Sequence, residues 1–193
     1  DTIISNQLTR TATTVSTAVG AGIKTFNMTV NGATKSISVT LDGTEDNKTL
    51  MEKVANAING TADIKANASI VNDSSTTNRL TLASKETGLA NTITLADTSG
   101  TLISSLVLSD SVKSTGTTGG YLYEDTELNA KLTVDSIDVE SSKNKYSLTY
   151  GPSGSKTFVP ATLYSELSIL TQLALLLGGG IDVLESIFSI RRV

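Results

Sequence analysis

The chain has 193 residues, with Lys+Arg 15, Asp+Glu 19 and a formal net charge of −4. Histidine, cysteine and tryptophan are absent. This excludes His-based acid–base catalysis, Ser–His triads, thiol nucleophiles, disulfides and the usual zinc sites. The acidic balance also argues against nucleic acid as a partner, because phosphate binding needs clustered Lys and Arg.

Aromatic residues make up 4% and charged residues 18%, while Ser and Thr together exceed a quarter of the chain. Hydrophobic residues at 38% still allow a core in one or two domains. The balance fits a Thr-rich extracellular β protein that uses no cofactor and no metal. Asp1-Thr2-Ile3-Ile4 has no basic n-region, apolar run or initiator Met, so the sequence reads as part of a longer chain.

Residues 1–22 are Thr-rich and weakly apolar, and read as a leading strand or a linker. Phe26, Met28 and Val30 then alternate with Asn27 and Thr29, and Ile37, Val39 and Leu41 alternate with Ser36, Ser38 and Thr40. Asn31-Gly32 lies between these runs, which predicts a β-hairpin with a type I′ turn, or a longer turn through Ala33-Thr34-Lys35.

A polar loop at 42–47 precedes Thr49-Leu50-Met51-Glu52, which matches a capping box. Leu50, Val54 and Ile58 share one helix face, and Gly60 is the expected C-cap. Strand signals follow at Ala66–Ile70, Leu80–Leu82, Ile93–Leu95 and Leu106–Leu108, with a turn over 73–78. Residues 23–112 therefore read as a β-β-α-β-β-β module with one short covering helix.

Residues 113–120 read as a Ser/Thr/Gly linker, and 121–150 as a second β segment. Leu132, Val134, Ile137 and Val139 mark a strand pair or bulged strand there, and Tyr146–Tyr150 a further strand.

Residues 151–193 read as a helical segment. Leu163, Leu167, Leu170, Ala174, Leu177, Ile181, Leu184 and Phe188 are spaced alternately by four and three, a heptad seam suited to helix packing or oligomerisation. Gly178-Gly179-Gly180 would cost a continuous helix about 3 kcal/mol, so a hairpin breaking at the glycines is favoured over a continuous or kinked helix. The uncharged run from Leu167 to Ile181 is shorter than the roughly 20 residues of a membrane span. The fold class is thus α+β, with mainly antiparallel β domains, one short covering helix and a C-terminal helical segment.

The chemical motifs are weak. Ser153-Gly154-Ser155-Lys156 contains Ser-x-x-Lys but lies in a Gly/Pro loop and lacks the companion elements of a Ser/Lys hydrolase. Asp42-x-Thr44-x-Asp46 resembles the front of a calcium loop, yet Asn47 and Lys53 stand where Gly and the bidentate Glu belong. Glycosylation acceptor patterns at Asn27, Asn47, Asn59, Asn67 and Asn72 are expected by chance at this Ser/Thr content. Carboxylates at Glu124, Asp125 and Glu127 or at Asp135, Asp138 and Glu140 lack the aromatic platforms of a glycosidase cleft.

Several stretches occur in a recognisable order: Phe26-Asn27-Met28-Thr29-Val30-Asn31-Gly32, Thr49-Leu50, Val54 to Asn59, Ala68 to Asp73, Arg79 to Gly88, and Ala90 to Leu95. Together they resemble the flagellar hook Ala-Ile-Asn module of the filament-capping (hook-associated protein type 2) family. Ala130 to Val139 with Ser141-Ser142-Lys143-Asn144 is similar to that family's next segment.

The resemblance covers about residues 20–145. It implies a secreted, homo-oligomeric structural protein at the distal tip of the bacterial flagellum, exported through the flagellar channel and promoting flagellin insertion. Its implied partners are flagellin and other axial proteins, and for some relatives host-surface glycans. Other axial proteins carrying the module, and a free-standing extracellular adhesin, are the alternatives. After Asn144 the sequence departs from the family pattern, and no family contact residue carries over to 151–193.

Overall fold

A computed structural model of the chain describes residues 1–134 and 136–143, and the strands at 146–149 and 155–158. The chain divides into two units, Asp1–Leu128 and Asn129–Val193.

The first unit opens with β1 (Thr2–Ile4), β2 (Leu8–Thr9) and α1 (Thr14–Val19). The predicted hairpin follows as β3 (Gly22–Val30) and β4 (Ala33–Leu41). Val30 pairs with Ala33, so the turn contains only Asn31 and Gly32, and both have positive φ, 53° and 71°. This is the type I′ geometry that an Asn-Gly pair accommodates.

Helix α2 (Asn47–Asn59) begins three residues earlier than a Thr49 cap requires. Asp46 is the N-cap, its Oδ1 accepting from the Thr49 amide at 2.7 Å. With Asp46 as the cap, Thr49 sits at N3, and its otherwise orphaned N–H receives the acceptor it needs. Leu50, Met51, Val54, Ala55 and Ile58 form the buried stripe, and Gly60 is the C-cap, in right-handed rather than left-handed conformation.

Next come β5 (Ala66–Val71), β6 (Thr77–Ser84) and β7 (Ile93–Ser99). The strand expected at 106–108 is instead the end of a short helix, α3 (Leu102–Leu106), which stops at Val107 in left-handed conformation. The Asp97 carboxylate accepts from the Ile103 and Ser104 amides, both at 2.9 Å, and these bonds start the helix. Leu102, Ile103 and Leu106 then face the core together.

Two antiparallel sheets result, where one was expected. Strands β4-β3-β7 form a three-stranded sheet. In the other, β6 pairs with β5 on one side and with β1 and β2 on the other, and β1 also pairs with β8 (Gly120–Tyr121). Helix α2 packs on β4, β5 and β6. Phe26, Met28, Ile37, Leu50, Met51, Leu80 and Leu82 are all fully or almost fully buried in one shared core. Covering helices therefore number three among the described residues, not one.

Residues 113–120 are not a linker. Arg79, on β6, donates to the carbonyls of Gly116 and Thr118, and the Asn6 side chain accepts from the Gly119 amide at 2.7 Å. These bonds fold the stretch into the first unit. A Cβ on Gly120, at φ +138°, would lie 2.0 Å from the Val112 carbonyl, so only glycine fits there.

In the second unit, β9 (Ala130–Val134) and β10 (Ile137–Ser141) form an antiparallel hairpin. Strands β11 (Tyr146–Thr149) and β12 (Ser155–Phe158) form another. Residues 155–158 are thus a strand, where a helical segment was expected from 151. The antiparallel register of β11 and β12, Tyr146 opposite Phe158 and Thr149 opposite Ser155, gives 155–158 a strand partner close by in sequence. The remainder of the expected helical segment lies outside the described residues.

Candidate functional site

The alternation of β3 and β4 places Phe26, Met28, Val30, Ile37, Val39 and Leu41 inward. The opposite face of the sheet is built from Thr34, Ser36, Ser38 and Thr40 on β4, Ile23, Thr25, Asn27 and Thr29 on β3, and Thr94, Ala96 and Thr98 on β7. It carries no charge. Facing hydroxyls pair across the strands, Thr29 with Thr34 at 2.7 Å and Thr25 with Ser38 at 3.2 Å. Ile23, 64% exposed, adds an apolar corner. Such a face can dock against another neutral polar surface without stranding a charge.

Several ionisable groups among the described residues are paired away from this face. Glu45 is buried at the start of α2, where it accepts from the amides of Asp42 at 2.6 Å and Gly43 at 3.0 Å and from Lys53 at 2.7 Å. Burial pushes its carboxyl up, but the bond from Lys53 and the backbone amides of Asp42 and Glu45 outweigh that and bring it down to about 2. Asp42 also pairs with Lys53, and Asp46 caps the helix. The acidic loop once comparable to a calcium site is therefore a helix-start clamp. Among the described residues no group of three His, Cys, Asp or Glu is placed to hold a metal ion.

Other candidates resolve in the same way. Glu124 accepts from Lys113 at 2.9 Å and from the Tyr121 hydroxyl, and Glu127 accepts from the Glu124 amide at 2.8 Å. Asp138 accepts from Thr133 at 2.8 Å and Glu140 from Asn129 at 2.9 Å. Asn47 is buried and holds Val15, Thr9 and Thr14, so it is no glycan acceptor. Lys156 falls on β12 and Ser153 lies outside the described residues. The whole heptad seam, Leu163, Leu167, Leu170, Ala174, Leu177, Ile181, Leu184 and Phe188, also lies outside them. No helix among the described residues is long and apolar enough to cross a membrane.

Two features escape the sequence reading. Alternation shows which face of β4 is polar but not that no strand lies beyond it. Arg79 looks like an ordinary outward residue of a strand, although it is only 9% exposed and holds a distant turn.

This architecture, with a β-rich unit of two sheets followed by short hairpins, is a known fold, seen in solved domains of flagellar cap proteins. The chain is similar to the flagellar cap protein FliD D1-D2-D3 domains from Escherichia coli, with TM-score 0.56 and 21% identity over 85% of this chain and 48% of that one. It is also similar to the FliD D2-D3 domains from Escherichia coli (0.51, 23%, covering 82% of this chain and 86% of that one). The corresponding D2-D3 domains from Serratia marcescens give 0.51 and 19%, covering 86% and 88%. The chain thus has the fold of cap-protein D2-D3 domains, and spans about half of the three-domain structure. No family model matches the sequence, and no curated protein matches it.

Proposed function

We propose that this chain is an outer, β-rich part of a flagellar filament cap, acting outside the cell at the filament tip as a structural protein without catalytic turnover. The observation that carries this reading is the fold shared with FliD D2-D3 domains over 82% and 86% of the chain. The neutral hydroxyl face of β4-β3-β7 supports it, since such a surface suits packing against neighbouring subunits. So does the engagement of the carboxylates in caps and ion pairs. Copies of the chain, flagellin and other axial proteins are the partners, and promotion of flagellin insertion is the role.

In this reading the Leu163–Phe188 seam contributes helix packing in the assembled parent protein. Leu170→Asp or Leu177→Asp then lowers the oligomer mass while the β signal in circular dichroism stays unchanged; retained oligomers would remove the seam's role.

The test of the function is genetic. Deleting the gene for the parent protein from its source bacterium leaves flagellin in the medium and truncated or absent filaments, and a plasmid copy restores them. Normal filaments in the deletion strain would refute the cap role. Glycan-array binding by the isolated chain, combined with normal filaments, would instead favour an adhesin.

A further inference from the structure

The free edges of the first unit are treated differently. On β5, the backbone N–H and C=O of Ala68 point out of the sheet, and the Asn59 side chain closes both, at 2.9 and 2.8 Å. On β7, the outward Ile93 amide is taken by the Asp1 carboxylate at 2.8 Å, and the strand runs into α3, which packs against it. These are the plugs by which sheets avoid edge-to-edge association.

Strand β4 has almost none. The two-residue turn makes Val30 and Ala33 a hydrogen-bonded pair, and the alternation from there directs the N–H and C=O of Thr34, Ser36, Ser38 and Thr40 away from β3. The Thr40 carbonyl accordingly accepts from Lys53 at 3.4 Å, the one hydrogen bond to that edge among the described residues. Among the described residues no strand pairs with β4 on that side. The nine-residue edge carries a single charge, Lys35, where a blocked edge normally carries several.

We propose that the open edge of β4 pairs antiparallel with the β4 edge of a second copy of this chain, making one continuous six-stranded sheet about a twofold axis at Ile37. With Ile37 facing Ile37, Ser36 of each copy faces Ser38 of the other and Thr34 faces Thr40. All four outward backbone positions are then paired with outward positions, as a hydrogen-bonded ladder requires. Lys35 falls opposite Val39, so the single charge on the edge never meets its own copy. The hydroxyls lie side by side on the outer face and extend the neutral surface across the junction.

One strand pair buries little area, so the contact is weak in free solution. It becomes effective where copies are already held close together, through their effective concentration. The inference rests on the edge geometry and is independent of the cap reading.

The test uses the 193-residue chain in a dilution series up to about 1 mM, read by sedimentation equilibrium and by backbone amide hydrogen exchange. The chain dimerises as concentration rises. The Ser36 and Ser38 amides exchange freely when dilute and become protected at least tenfold in the dimer, while Phe26, Ile37 and Val39 are protected throughout. Ser36→Pro, whose lost N–H has no partner inside the monomer, keeps the circular-dichroism spectrum and abolishes dimerisation; Ser36→Lys with Ser38→Lys does the same without proline. The proposal is overturned by a chain that stays monomeric throughout. A dimer whose Ser36 and Ser38 amides still exchange freely overturns it too, as does protection of those amides at every dilution, which would mean that the chain covers its own edge.

Discussion

The Arg79 Nε donates to the Ser5 carbonyl at 2.8 Å across 74 residues of sequence. Its other nitrogens reach the Gly116 carbonyl at 2.9 Å, the Thr118 carbonyl at 2.5 Å and the Ser114 hydroxyl at 3.4 Å. One planar group thus ties the end of β1 to the 114–118 turn. Arg79→Met removes the guanidinium donor from the Ser5 and Gly116 carbonyls, leaves the Thr118 carbonyl with the Ser114 hydroxyl alone, and should cost about 3 kcal/mol. Arg79→Lys should recover less than half, because a single ammonium cannot reproduce the divergent guanidinium fork. Urea unfolding measures the loss, and limited proteolysis should show new cleavage within 113–120. A Met variant of wild-type stability would contradict this role.

The parts of the fold governed by neighbouring residues were legible in the sequence. Asn31-Gly32 between alternating runs specifies a two-residue hairpin, and the spacing of Leu50, Val54 and Ile58 specifies α2. What depends on distant partners was not. Leu106 and Leu108 have the period of a strand, but their segment is decided by Asp97, whose carboxylate takes the Ile103 and Ser104 amides. Residues 113–120 have a linker's composition and are held in place by Arg79 and Asn6. Thr49 and Asp46 are both good caps, three residues apart, and only the packing of Asn47 against α1 and β2 selects between them. The candidate surface follows the same division: the polar alternation of β4 was visible, its unpaired edge was not.

Glu45 sets an acid limit on stability. With a folded pKa of about 2 and an ordinary value of 4.5, the folded state binds the proton less tightly than the unfolded chain. Its contribution is complete above about pH 4.5 and is lost as pH falls towards 2. Allowing for solvent screening at the half-exposed Lys53, it amounts to about 1–2 kcal/mol. Glu45→Gln should therefore be less stable than wild type at pH 7, and the gap should close as pH falls to 2. Parallel denaturant titrations of the two proteins measure the difference; a gap independent of pH would show that the carboxylate charge contributes nothing.

Asn78 offers the opposite kind of change. It is fully buried on β6 opposite Leu8, and neither its Nδ2 nor its Oδ1 has a hydrogen-bond partner. An unpaired buried amide carries a desolvation cost that an apolar side chain of similar size does not. Asn78→Val also suits a strand position, and should stabilise by about 1 kcal/mol, or raise Tm by about 2–4 °C. Calorimetry decides, and a lower Tm would mean that the amide has a bridging water to bind.

Asn59 closes α2 and at the same time plugs β5. Its amide donates to the Ala68 carbonyl at 2.8 Å and accepts from the Ala68 amide at 2.9 Å, as a neighbouring strand would. Only a carboxamide satisfies both groups at once. Asn59→Asp keeps the acceptor, loses the donor and sets a negative charge at the helix C-terminus, where the dipole disfavours it. Asn59→Ala loses both bonds. Each change should cost about 1 kcal/mol, since water can replace part of the bonding at this exposed site. The larger effect is on association: with Ala68 open, β5 becomes a second edge able to accept a strand. Light scattering of Asn59→Ala during slow heating should show aggregation beginning well below the wild-type onset, before the core unfolds by circular dichroism. Coincident aggregation and unfolding in both proteins would mean that the plug serves the helix end alone.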